Sequence, residues 1–103
     1  MRVRVASVSE VEVGRAIAVE VNGRKVALCR PFPDEFYAID DICSHALASL
    51  SEGELMEYEI ECPRHGAHFD IRTGEALTLP ATKPVKTYRV VVEGDEVYIE
   101  APE

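Results

Sequence analysis

No apolar run in this chain approaches the roughly 20 residues that a helix needs to cross a bilayer. Residues 1–13 alternate charged and apolar side chains, without the apolar core or small-residue cleavage site of a secretory leader, so the expectation is a cytoplasmic protein. Basic residues are scarce as well: 11 Lys and Arg against 19 Asp and Glu give a formal charge of −8. Nucleic acid and anionic membrane surfaces both call for clustered cations, so neither is an expected partner. Acidity of this kind suits transient docking on a basic patch of another protein, and it serves solubility equally well. Cysteine numbers three, an odd count for a disulfide framework, and grouped Cys and His point to metal binding instead. Repeats, low-complexity tracts and linkers are missing, and 103 residues hold one domain with a modest core. Sustained apolar spacing at three and four residues is also absent, which excludes long helices. Residues 47–54 are the one place for a helical turn.

What the chain has in quantity is period-two alternation, the pattern of strands. Ile17, Val19 and Val21 alternate with Ala16, Ala18 and Glu20. Asn22-Gly23 follows, then the run Lys25-Val26-Ala27-Leu28-Cys29, and Asn-Gly between two such runs predicts a hairpin with a type I′ turn. Pro31, Pro33 and Asp34 then break the chain before a short strand at residues 35–40. Residues 87–93 and 96–100 read as two further strands joined at Gly94-Asp95. The fold class is all-β, built from short antiparallel strands. In residues 57–62, Glu57, Glu59 and Glu61 fall on one strand face and Tyr58, Ile60 and Cys62 on the other. This directs Cys62 inward and leaves a solvated acidic face.

The chemistry concentrates in two short stretches, Cys43-Ser44-His45 and Cys62-Pro63-Arg64-His65, sixteen residues apart. Thiolate and imidazole together suit zinc or a mixed-ligand iron–sulfur cluster. Small zinc domains usually place two Cys in one knuckle and two His in another element. Here each stretch supplies one of each, which a two-iron cluster explains directly: two cysteines for one iron, two histidines for its neighbour. Gly66, lacking a Cβ, would let backbone N–H groups come close to the cluster sulfurs. Cys29 sits in a predicted strand with no Cys or His nearby and reads as an ordinary strand residue. His68 would be surplus to a two-His iron and reads as a packing or surface residue. No Ser-His-Asp set or other nucleophile arrangement accompanies these residues, so the chain is expected to transfer electrons and not to be an enzyme itself.

These two boxes, with His65-Gly66-Ala67-His68-Phe69-Asp70 and Thr73-Gly74-Glu75 behind them, resemble the cluster-binding segments of the Rieske family, most closely bacterial Rieske ferredoxins. The resemblance is strong over about residues 40–82. It implies one [2Fe–2S] cluster held by Cys43, His45, Cys62 and His65. It further implies an antiparallel β-sandwich or barrel base domain, residues 1–40 plus 81–103, with a cluster-binding subdomain inserted at about 41–80. The Leu79-Pro80-Ala81 stretch resembles the proline loop that covers the cluster.

The respiratory-complex branch of that family carries an additional disulfide whose cysteines align with Ala48 and Arg64, so no such bridge can form here. Its serine and tyrosine, which donate hydrogen bonds to cluster and cysteine sulfur, align with Ala67 and Phe69. Without those donors the resemblance implies a low reduction potential, roughly −150 mV. The implied function is that of the ferredoxin of an aromatic-ring dioxygenase system, shuttling single electrons from a flavin-dependent, NAD(P)H-reduced ferredoxin reductase to a terminal oxygenase. Two alternatives stand beside it: the small Rieske-like subunit of an NAD(P)H nitrite reductase, and a zinc-stabilised binding module without redox activity.

Overall fold

A computed structural model describes residues 2–42, 48–64, 66–79 and 83–100. Among the described residues ten strands run in chain order: β1 (Arg2–Ser7), β2 (Arg15–Val21), β3 (Arg24–Phe32), β4 (Glu35–Asp40), β5 (Leu55–Met56), β6 (Glu59–Glu61), β7 (His68–Asp70), β8 (Thr87–Tyr88), β9 (Val90–Glu93) and β10 (Glu96–Glu100). They form three sheets, ordered β1-β10-β9, β2-β3-β4-β8 and β5-β6-β7, and every pairing is antiparallel. The helical content of the described residues is two 3₁₀ turns, Val8–Glu10 and Leu50–Glu52. The second lies inside the stretch expected to hold a helical turn and is shorter than it. The expected all-β antiparallel architecture is therefore found.

Both hairpin signals hold. Asn22 and Gly23 take φ of +49° and +82° and close β2 onto β3 with Val21 opposite Arg24. Gly94, at φ +61°, turns β9 into β10. The core explains why residues 26–29 are continuously apolar instead of alternating: β3 is buried on both faces. Val26 shares a core with Ile99, and Leu28 shares another with Val97, both of β10. Ala27 and Cys29 join a third core that contains Ile60, Cys62, Ala67 and Phe69. β3 thus lies between β10 on one side and the small sheet β5-β6-β7 on the other.

Three boundaries differ from expectation. β3 does not stop before Pro31 but runs on to Phe32, with its register shifting between Cys29 and Phe32; a bulge is where a strand tolerates a residue without an N–H. The run 87–93 divides between two sheets. Thr87 and Tyr88 pair with β4, whereas residues 90–93 pair with β10. Glu57 is not on a strand face: Glu57 and Tyr58 form the turn between β5 and β6, with Glu57 at φ +54°.

Candidate metal centre

The alternation read over residues 59–62 survives beyond that turn. Ile60 and Cys62 are fully buried, while Glu59 and Glu61 remain at the surface. Cys62 is a free thiol at the head of the β6–β7 loop. Its backbone N–H donates to the Ala67 carbonyl at 2.7 Å, and Gly66 N–H donates to the Cys62 carbonyl at 2.9 Å, so the loop closes on itself. Gly66 needs its glycine for a φ of +73°, and a Cβ there would meet nothing nearer than Glu61 Oε2 at 3.9 Å. Its N–H is spent on Cys62.

The residues that flank 43–47 are tied to one another. Ile42 bridges Ser49. Asp41 donates its N–H to Lys25 O at 3.1 Å, accepts Leu50 N–H on its carbonyl at 2.6 Å and accepts Ser51 N–H on Oδ1 at 2.9 Å. Asp41 is fully buried, with Lys25 Nζ 3.9 Å from Oδ2, an oxygen without a hydrogen-bond partner among the described residues. Sequence reasoning passed over it; the only signal was an acidic residue just ahead of the first box.

Of the four predicted ligands, Cys62 stands within the described residues; Cys43, His45 and His65 lie outside them, as do Leu47 of the expected helical turn and Pro80 and Ala81 of the expected proline loop. Among the described residues no group of three or more Cys, His, Asp or Glu side chains is arranged to hold a metal ion. The other two candidates behave as expected. His68 sits between the β6 carboxylates, with Nδ1 3.1 Å from Glu59 Oε1 and Nε2 3.4 Å from Glu61 Oε2. Cys29 is sealed in β3, and burial, reinforced by the charge of Asp41, pushes its thiol up to about 12. A thiol so reluctant to ionise is a poor metal ligand.

A second group escaped the sequence reading. The Glu35 carboxylate on β4 accepts from Tyr37 Oη at 2.7 Å and from Tyr58 Oη at 2.9 Å. That bond to Glu35, followed by desolvation, pushes the Tyr37 phenol up to about 12. Arg72, paired with Asp70 at 3.2 Å, lies 4.1 Å over the Tyr58 ring. The cluster fastens the small sheet to β4, and its members are too far apart in sequence to announce themselves.

The donor chemistry fits an iron–sulfur group. Cys62 is unbridged, buried and presented by a closed turn, and Ala67 and Phe69 are fully buried without hydroxyls to offer. Comparison with known proteins agrees. A family profile described as "Rieske [2Fe-2S] domain" matches residues 1–89. The chain is 44% identical over 103 residues to the 3-phenylpropionate/cinnamic acid dioxygenase ferredoxin subunit of Shigella flexneri serotype 5b, covering 99% of this chain and 95% of that protein. Its structure resembles the ferredoxin of carbazole 1,9a-dioxygenase from Nocardioides aromaticivorans IC177, with a TM-score of 0.94 and 42% identity over 100% of this chain and 99% of the other. It also matches a chain in a complex of reduced oxygenase and oxidized ferredoxin in carbazole 1,9a-dioxygenase, at a TM-score of 0.88 and 37% identity over 95% and 91% of the two chains.

Proposed function

The chain belongs to the Rieske [2Fe–2S] domain family, and from that premise we propose that it accepts single electrons from a flavin-dependent ferredoxin reductase and delivers them to the terminal oxygenase of an aromatic-ring dioxygenase system. It is an electron-transfer component with one [2Fe–2S] cluster, not a catalyst of substrate turnover. The observation that carries the reading is full-length identity of 44% to a dioxygenase ferredoxin subunit. A ferredoxin seen in complex with its oxygenase supports the second half of the transfer. The first half follows from chemistry: a one-electron carrier fed by NAD(P)H needs a donor that splits a hydride's electron pair, which flavin does. We place this exchange in the cytoplasm.

Cys43 and Cys62 would hold one iron, and His45 and His65 the other. When bound, the cluster supplies storage for one electron at a time. The chain's own part is to shape its surroundings. Cys62 is aimed inward by β6, and Ala67 and Phe69, buried in the same core, have no side-chain hydroxyl to donate to sulfur. That arrangement supports a low potential. Residues 41–80 would form the cluster-binding unit, with the remainder as base; the separate sheet β5-β6-β7 is consistent with that division.

The test is an anaerobic preparation read by visible absorption, iron and sulfide content, and EPR after dithionite reduction. A red-brown protein with about two irons and two sulfides per chain supports the reading, Cys62→Ser abolishes the spectrum, and Cys29→Ser leaves it intact. A colourless protein with one zinc overturns it.

A further inference from the structure

Between the segment that bears Cys43 and His45 and the β5–β6 hairpin that leads to Cys62 lies one short connector. It is the 3₁₀ turn Leu50–Glu52 with Gly53 at its end. Its front is fixed by Asp41, which accepts the N–H groups of Leu50 and Ser51 two residues ahead of Cys43. Its middle is fixed by Leu50, fully buried in the same core as Ile60 and Cys62. Its end is fixed by Gly53, whose N–H donates to Leu50 O at 2.9 Å and whose Cα lies directly against the Glu61 backbone carbonyl, one residue before Cys62.

Gly53 has an ordinary φ of −82°, so conformation does not require glycine there. Space does: a Cβ would overlap the Glu61 carbonyl oxygen and crowd Leu50 O at 3.2 Å. The contact is backbone against backbone and cannot yield by a side-chain rotation. One residue further on, Glu61 N–H donates to Glu54 O at 2.9 Å and locks the approach. Asp41 is notable for a different reason. Burying a carboxylate is costly, and among the described residues this one faces one backbone N–H and a distant, half-exposed Lys25.

We propose that residues 50–53 are a rigid spacer that sets the separation of the two cysteine-bearing loops, with Asp41 and Gly53 as its positioning residues. The inference rests on the ligand set proposed above and deepens it. Neither residue touches iron; each acts through the backbone beside a ligand. Outer-shell residues of this kind typically change metal affinity 10- to 100-fold when altered.

The experiment measures iron release from the oxidised holoprotein to a chelator, followed by loss of visible absorption, at a temperature where circular dichroism shows every variant folded. Gly53→Ala and Asp41→Ala should each release iron at least about tenfold faster than wild type. Asp41→Asn, which keeps an oxygen for Ser51 N–H, should recover most of that loss. The two alanine substitutions act on one spacer, so their effects combined should fall short of the product of the two. Val97→Ala serves as the control: it truncates a core that shares no residue with that of Cys62, and should lower the melting temperature while leaving iron release and the EPR g values unchanged. Iron release from Gly53→Ala no faster than from Val97→Ala would overturn the inference. Should Gly53→Ala fail to accumulate, the Asp41 pair decides, and equal iron loss from Asp41→Asn and Asp41→Ala counts against positioning. A wild-type protein without a [2Fe–2S] cluster would overturn the ligand reading itself, a result distinguishable from a loaded protein indifferent to both substitutions.

Discussion

In β10, Val97 and Ile99 are fully buried while Glu96, Tyr98 and Glu100 are only half-covered, so the strand's alternation alone turns the right side chains inward. In β5-β6-β7 the strands are two or three residues long, too short for pattern to specify much. Beyond its share of the core around Phe69, that small sheet is held by single contacts: the closed Cys62 loop, Gly53 against Glu61, Gly74 against Val85, and the Glu35 carboxylate gripping Tyr58. The difference teaches where each region is vulnerable. One is built from many interchangeable apolar contacts. The other is built from a few that have no substitute.

Phe69 is where the two regions meet, and removing it should have the largest effect on stability. It is the largest fully buried side chain, packed in one core with Ala27 and Cys29 of β3 and with Ile60 and Cys62 of the small sheet. Phe69→Ala is expected to cost about 3–5 kcal/mol by urea unfolding. That is a large share of the roughly 5–15 kcal/mol available to a domain. A loss under about 1 kcal/mol would mean that the small sheet does not depend on this core.

Glycine offers a sharper contrast. Gly23 and Gly74 have nearly equal φ, +82° and +78°. A Cβ on Gly23 would meet nothing within 4 Å, whereas one on Gly74 would overlap the Val85 carbonyl oxygen, whose residue donates its own N–H back to Gly74 O at 2.8 Å. Gly23→Ala should therefore cost only the backbone penalty, about 1–2 kcal/mol. Gly74→Ala should cost clearly more. Equal losses in parallel urea titrations would break the distinction between the two regions.

The same contrast explains what the sequence disclosed. The Asn22-Gly23 and Gly94-Asp95 hairpins, the strand at 35–40 and the inward aim of Cys62 are legible because turn chemistry and period-two alternation are local. The division of 87–93 between two sheets was illegible: Tyr88 is drawn to β4, where its hydroxyl donates to Asp40 Oδ1 at 2.5 Å, while Val90 pairs with Ile99. The Glu57-Tyr58 turn carries no Gly or Asn to announce it. Tyr58 is anchored by Glu35, twenty-three residues earlier, and by the Arg72 guanidinium, and that tertiary hold overrides local preference. For the candidate centre the spacing of Cys and His was readable, but Asp41 and Gly53 were not, since their roles exist only once the loops are folded together.

A smaller effect comes from Asp70, at the end of β7. Burial pulls its carboxyl upward, but hydrogen bonds from the Arg72 side chain and backbone outweigh this and leave it below the ordinary carboxylate range. A carboxylate depressed in the fold stabilises above its unfolded value of about 4, and that contribution is lost as pH falls through the folded value. Asp70→Asn should accordingly be less stable than wild type near neutrality and lose less of its remaining stability on acidification. Urea midpoints taken at about pH 6 and about pH 3 measure the difference. Parallel acid limbs in the two proteins would show that the Asp70–Arg72 pair contributes nothing to the small sheet.

The smallest effect has the opposite sign. Glu57 is exposed and sits at φ +54°, a region that costs a residue with a Cβ about 1–2 kcal/mol. Glycine removes that cost but surrenders about 0.5–1 kcal/mol through its freer unfolded chain, so Glu57→Gly should gain about 0.5–1 kcal/mol. A gain in the urea midpoint would mean that the turn is bent against its residue's preference and held by the Tyr58 anchor. A loss would mean that the Glu57 side chain itself contributes to the turn. The anchor can then be tested in the same background: if it supplies the hold, Tyr58→Phe should weaken the glycine variant more than it weakens the parent, because only the parent recovers strain when the turn is released.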